Sequence, residues 1–170
     1  MDIISHAIVG RMLVSKKRDS YTDLILIPFF GSLPDIFQIP LYIYIGYINS
    51  RPFFYPLTSD WNGFRDASPL WVLWWDIPHS LFFLLLVIVP IVWLLKLNKW
   101  ALVAYFSHLF LDWFTHTGEW GVKPLFPLQF MFNGFTDMWA WNPLYYPIIW
   151  LILWGGVIAI EEFRAQKEKK

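Results

Sequence analysis

The chain contains no cysteine. That excludes a disulfide framework and any metal site built on thiolates. Charge is also scarce: Asp, Glu, Lys and Arg make up 15% of the 170 residues, against about 25% in an ordinary soluble domain. No basic surplus exists, since 13 basic residues face 13 acidic ones, so a nucleic-acid partner is not expected. What the chain has instead is apolar: 57% hydrophobic, 21% aromatic, with twelve Trp. So much apolar surface rules out disorder, and the length suits one domain.

The few charges leave long gaps. Asp76 and Lys96 bracket 19 uncharged residues, and Asp137 and Glu161 bracket 23. Leu24 to Ser50 holds only Asp35, and the run from Trp100 to Gly118 is interrupted only by Asp112. A membrane span needs about 20 apolar residues. The expectation is an all-α integral membrane bundle of about four transmembrane helices, near residues 22–48, 78–96, 99–117 and 143–160. Pro34 and Pro40 are expected to break or kink the first. Residues 3–14 read as a short helix preceding it, too short to span in the ordinary way. Met1-Asp2 lacks the basic start of a cleavable signal. Residues 1–160 read as a single membrane-embedded domain and 161–170 as a charged tail.

Ten of the thirteen basic residues fall in 1–23, 96–99 and 161–170, which alternate with the expected spans. The positive-inside bias puts Lys16, Lys17, Arg18, Lys96, Lys99 and the Arg164–Lys170 tail on the cytoplasmic side of an inner membrane. Trp71, Trp74, Trp75, Trp120, Trp139 and Trp141, with Tyr145 and Tyr146, are expected as an aromatic belt at the opposite face, and Trp100 marks the inner end of the third span. The outer belt is rich enough to line a mouth for lipid or another apolar substrate.

Ionisable side chains at membrane depth are costly and read as functional. His108, Asp112 and His116 are spaced i, i+4, i+8, which places them on one stripe of a helix. Two imidazoles around a carboxylate suit a divalent metal, or a carboxylate orienting an imidazole; the plainer alternative is a polar stripe packing helices together. His79 follows Pro78, expected in the first turn of the second span, near the level of His116. Asp35, alone in an apolar run beside Pro34, needs a cation or a proton. His6 joins the set only if the N-terminal helix reaches the same pocket. Thr117, Glu119 and Asp137 are outer loop residues, and Arg65 and Lys123 are cations able to meet a phosphate there.

His6, Leu33-Pro34-Asp35, His79-Ser80 and Ser107-His108-x-x-x-Asp112-x-x-x-His116, followed by Pro124-Leu125-Phe126-Pro127-Leu128, resemble the YdjM-like membrane-bound metal-dependent hydrolases, a family thought distantly related to zinc-dependent phospholipase C. Where that family often has His-Arg, this chain has Trp74 and Trp75. The resemblance implies His6, Asp35, His79, His108, Asp112 and His116 as ligands of one or more divalent metals, Zn²⁺ favoured by the imidazole and carboxylate donors. Asp35 or Asp112 would serve as proton acceptor, and a lipid phosphoester would be the substrate. Membrane lipids are the expected surroundings, with a homo-oligomer left open. The competing expectations are a metal-ion or proton transporter and a non-catalytic membrane protein with a structural metal site.

Overall fold

The structure, a computed structural model, describes residues 2–15, 19–142 and 144–167, and of Trp139 the backbone alone. Lys16, Lys17, Arg18 and the last three residues of the basic tail lie outside the described residues, as does the Trp139 side chain. The architecture is all-helical. Among the described residues no β-strand forms, and Val122 and Phe132 share one isolated antiparallel bridge.

Helix α1, Ile3–Met12, begins where Asp2 accepts the backbone N–H groups of Ile4 and Ser5. Such a cap satisfies donors that have no partner inside a helix. Helix α2, Tyr21–Ile36, starts at a Ser20–Asp23 capping box. It keeps Pro28 and Pro34 within its length and gives way at Phe37–Gln38 to α3, Ile39–Ile48, whose first turn holds Pro40. The expected break is therefore a turn just after Asp35. Among the described residues, α2 and α3 together form the one stretch, Tyr21–Ile48, long and apolar enough to cross a membrane.

After a loop come α4, Thr58–Ala67, and the short α5, Leu70–Trp74. Helix α6, Leu81–Phe83, passes through a π-helical stretch, Leu84–Ile88, into α7, Val89–Leu94. Pro90, which has no N–H to offer, sits where the π-helical stretch ends. Lys96 takes a positive φ in the turn to α8, Trp100–Thr115. Helix α9, Tyr145–Lys167, closes the described chain.

The expected second and third spans are thus helices of 14 and 16 residues. Pro78 and His79 belong to a turn ahead of α6, with Ser80 as its cap, and α8 stops one residue before His116. Pro78 is therefore not a first-turn proline; its carbonyl instead accepts the buried Tyr105 hydroxyl at 2.5 Å.

Two cores hold the molecule. One gathers Val14, Ile27, Phe30, Ile88, Val92, Ala101, Ala104, Tyr105 and Leu109 between α2, α7 and α8. The other is aromatic: Trp61, Trp71, Trp75 and Trp120 with Leu41, Ile45 and Val122. Trp71, Trp75 and Trp120 are therefore interior residues rather than members of an exposed belt. Their rings meet edge-on or stacked at 5.4–5.8 Å between centroids, the arrangement aromatic quadrupoles favour.

Helix α1 crosses α2 at very close range. A Cβ on Gly31 would stand 2.8 Å from the His6 carbonyl oxygen, and one on Gly10 3.0 Å from Pro28 Cα. Small residues at this crossing are what bring His6 down to the level of α8. Past the crossing, Arg11 donates to Glu161, and Arg164 donates to the Met12 and Val14 carbonyls, tying the end of α1 to the end of α9. Val14, Val92, Leu97 and Ala101 share the first core. The ends of α1, α7 and α9 and the start of α8, which carry Arg11, Lys96, Lys99 and Arg164, therefore gather at one end of the bundle.

Candidate metal centre

All six expected ligand residues are buried, and they come from four parts of the chain. Asp35 stands in the last turn of α2, and His79 in the turn before α6. His108 and Asp112 lie one turn apart on α8, and His6 lies in the first half of α1. His116 is the residue that ends α8, with extended backbone at φ −129° and ψ 131°. Its backbone is held from outside the helix, where the Gly134 N–H donates to the His116 carbonyl at 2.8 Å. The expected i, i+4, i+8 stripe is thus one helical turn, His108 to Asp112, plus a cap residue that reaches back to the same carboxylate.

Asp35, His79, His108 and Asp112 each offer one ligand atom within 4.8 Å of all the others, so the group can hold a metal ion. His108 Nε2 lies 3.0 Å from Asp112 Oδ2, 3.3 Å from His79 Nε2 and 3.7 Å from Asp35 Oδ1. His79 Nε2 lies 3.6 Å from Asp112 Oδ2 and 3.7 Å from Asp35 Oδ1.

The far side of each ring fixes its tautomer. His79 Nδ1–H donates to the Trp75 carbonyl and His108 Nδ1–H to the Gly31 carbonyl, each at 2.8 Å. A carbonyl only accepts, so each Nδ1 carries a proton, and in the neutral ring Nε2 presents its lone pair. Two lone pairs and two carboxylates then face one volume, at burial where like partial charges repel strongly. A divalent cation relieves all four at once. An Nδ1–H bonded to a carbonyl is also the usual support that orients a metal-ligating histidine.

Asp112 serves both sides of the site. Its Oδ2 faces His79 and His108. Its Oδ1 lies 3.1 Å from His6 Nε2 and 3.4 Å from His116 Nε2. The four imidazoles thus fall into two pairs on the two oxygens of one carboxylate. His6 also stacks on His108, with centroids 3.6 Å apart, and the buried His6 Nδ1 atom has no hydrogen-bond partner among the described residues. Trp75 roofs the cluster. Its ring stacks on His79 at 4.6 Å and meets His116 edge-on at 5.4 Å.

The other outer residues are engaged elsewhere. Lys123 pairs with the buried Asp76 at 2.8 Å, and Arg65 pairs with Asp66 and with the exposed Glu119. The two cations expected to meet a phosphate are therefore held by carboxylates. Sequence reasoning missed Gln38, whose side-chain amide donates to Asp35 Oδ1 at 3.2 Å. Its place three residues after Asp35, across the helix break, was the available signal. It also missed the Gly31 and Trp75 carbonyls, which no residue type announces.

No protein-family model, curated protein or solved structure matches the chain. The geometry alone defines the class: an all-helical protein with a buried His/Asp cluster able to hold a metal ion.

Proposed function

We propose that the protein is a membrane-embedded metal-dependent hydrolase of the YdjM-like kind, acting on a phosphoester such as a lipid headgroup. The observation that carries this reading is the pair of facing His79 and His108 Nε2 atoms, each ring oriented by a backbone carbonyl and both flanked by Asp35 and Asp112. His6 and His116 complete the donor set on the other oxygen of Asp112.

Imidazole and carboxylate donors favour zinc. When bound, such an ion supplies Lewis acidity, neutralising charge on a phosphoryl oxygen and lowering the pKa of water to about 7. The chain's own residues do the rest. Asp35, whose side chain keeps 9% exposure while that of Asp112 keeps none, is the carboxylate a substrate can reach and takes the proton of the attacking water. Gln38 holds Asp35 Oδ1 in place. Asp112, shared among four imidazoles, fixes their spacing, and Trp75 keeps bulk water off His79 and His116.

The membrane setting rests on the outer surface. Leu85, Leu86, Trp93, Phe106, Phe110, Leu151 and Ile152 are all exposed, on α6–α7, α8 and α9. So much outward apolar surface on a soluble monomer would be a liability. In this reading four helical passes, α2–α3, α6–α7, α8 and α9, sit in the inner membrane. At 14 and 16 residues, the middle two would favour a locally thinned bilayer. Arg11, Lys96, Lys99 and Arg164 at the shared end favour a cytoplasmic C-terminus. The apolar core around Val14, Val92 and Tyr105 lies on that same side of the cluster, which favours a fixed site over an ion pathway.

The test pairs metal analysis of detergent-purified protein with a phosphoester panel. At least one zinc-class ion per chain and turnover lost in Asp112→Ala are expected. Bound metal with no turnover on any phosphoester would leave a structural site and overturn the hydrolase. Metal flux into sealed proteoliposomes would favour the transporter instead.

A further inference from the structure

A groove of about 470 Å³ opens beside the cluster, lined by Asp2, Ile3, Ile4, Asp35, Gln38, Ile39, Tyr42, Tyr55 and Trp61. The surface its walls expose is almost wholly apolar. Asp2 is already committed, to the α1 cap and to the Trp150 indole N–H at 3.0 Å. Asp35 and Gln38 mark where the groove meets the cluster, and the Asp35 carboxylate belongs to both.

The walls are held in place from behind. A Cβ on Gly46 would overlap the Phe54 carbonyl, 2.0 Å from its oxygen, so the loop after α3 lies directly on that helix. This sets Tyr55 against Tyr42, and Tyr42 against Trp61, each with centroids 5.5 Å apart. Arg51 clamps the Asp60 carboxylate through two bonds of 2.8 Å and ties the loop to the start of α4. At the mouth, Ile3, Ile4, Ile39 and Tyr55 are exposed and continue into the exposed Ile43 and Tyr44.

We propose that this groove holds one apolar chain of a membrane lipid and so presents the lipid's phosphodiester to Asp35. The proposal narrows the substrate of the hydrolase reading and depends on that reading only for which bond is cut. A lipid chain fits where a peptide or a sugar does not. The walls offer few hydrogen-bond partners, and a chain passing from the bilayer into them exchanges one apolar surface for another. Continuity with the His/Asp cluster sets the direction: chain toward Ile4, Ile39 and Tyr55, headgroup toward Asp35 and Gln38.

The test places the protein in nanodiscs containing a phosphatidylcholine with a diazirine at the end of one acyl chain, followed by illumination and peptide mapping. Labels are expected on the segments carrying Ile39–Tyr42 and Tyr55–Trp61, in addition to the outward face at Leu85 and Leu86. Ile39→Trp and Ile4→Trp, both at exposed positions, should each lower groove labelling about ten-fold through overfilling while leaving the Leu85–Leu86 label unchanged. Groove labelling should persist in EDTA. Labels confined to the outward face, groove labelling in both Trp variants as strong as in the wild-type chain, or labelling abolished by EDTA would each overturn the proposal. Failure of the hydrolase reading looks different: a labelled groove with no phosphoester turnover. Turnover of a short-chain phosphoester with an unlabelled groove would instead sink the lipid-chain proposal alone.

Discussion

His79 and His108 point their Nε2 atoms at each other across 3.3 Å, and the Nδ1–H of each donates a hydrogen bond to a main-chain carbonyl. When both rings are neutral, lone pairs so arranged repel unless something positive lies between them. The pair therefore predicts its own response to metal. Metal-loaded protein should unfold at a higher temperature than protein stripped with EDTA. The corresponding gain in unfolding free energy is about 2.7 kcal/mol when free metal stands at a hundred times its dissociation constant. His79→Ala and His108→Ala should each abolish metal retention in elemental analysis and lose that gain. If both variants keep stoichiometric metal, the ion sits elsewhere.

The α1–α2 crossing carries a second prediction. Gly31→Ala places a methyl group 2.8 Å from the His6 carbonyl oxygen, on main chain that has little room to yield. Helix α1 must then lift, and His6 with it. The cost should be about 1–3 kcal/mol, accompanied by weaker metal retention because His6 leaves Asp112 Oδ1. Gly63→Ala is the control. That glycine sits inside α4 with open space around its Cα, so the exchange should be neutral or stabilising by up to about 1 kcal/mol. Equal melting points for the two variants would refute the steric account.

These contacts mark what residue spacing could and could not announce. His108 and Asp112 were legible because a helix dictates that i and i+4 share a face. Asp35 was legible because a lone carboxylate in an apolar run asks for a partner. His6 was weak evidence by sequence, since its contribution depends on two glycines, one of them 25 positions away, letting two helices touch. His116 does lie beside Asp112, but not along a helix stripe: α8 ends before it, and a loop N–H from Gly134 bonds its carbonyl. The all-helical fold followed from the charge-free runs. Their conversion into helices was less direct, because the turn at 75–80 and the end of α8 shorten two of them. The Trp surplus misled in part. Trp71, Trp75 and Trp120 pack on one another above the site, and a ring's choice between a belt and a core depends on neighbours that periodicity does not reveal.

The Arg51–Asp60 clamp gives a pH dependence. The Arg51 guanidinium, with the Leu57 N–H, holds the Asp60 carboxyl below the usual carboxylate range. A depressed folded-state pKa means stability that is present above the unfolded value, about 3.9. That stability is lost as pH falls through the folded value. Hydrogen exchange in residues 57–61 should therefore be flat from neutral pH down to about 4 once corrected for the intrinsic rate, and faster below it. Asp60→Asn should show the faster exchange already at neutral pH. Protection that changes between pH 7 and 5 in the wild-type chain would point to a different group.

Lys123 and Asp76 join the loop after α8 to the turn that carries His79. Asp76 is 2% exposed, and the Lys123 side chain 26%, so the carboxylate is the buried partner. Removing the cation leaves a charge in the interior without its counter-ion, whereas removing both leaves neither. Lys123→Met should thus cost about 1–3 kcal/mol, below the range for a fully buried pair because Lys123 still meets solvent. Asp76→Asn combined with Lys123→Met should recover most of that loss. The double variant should also retain metal, since His79 is oriented by the Trp75 carbonyl and not by this pair. If metal is lost in the double variant while its melting point recovers, the ion pair positions His79 directly and the carbonyl bond alone does not suffice.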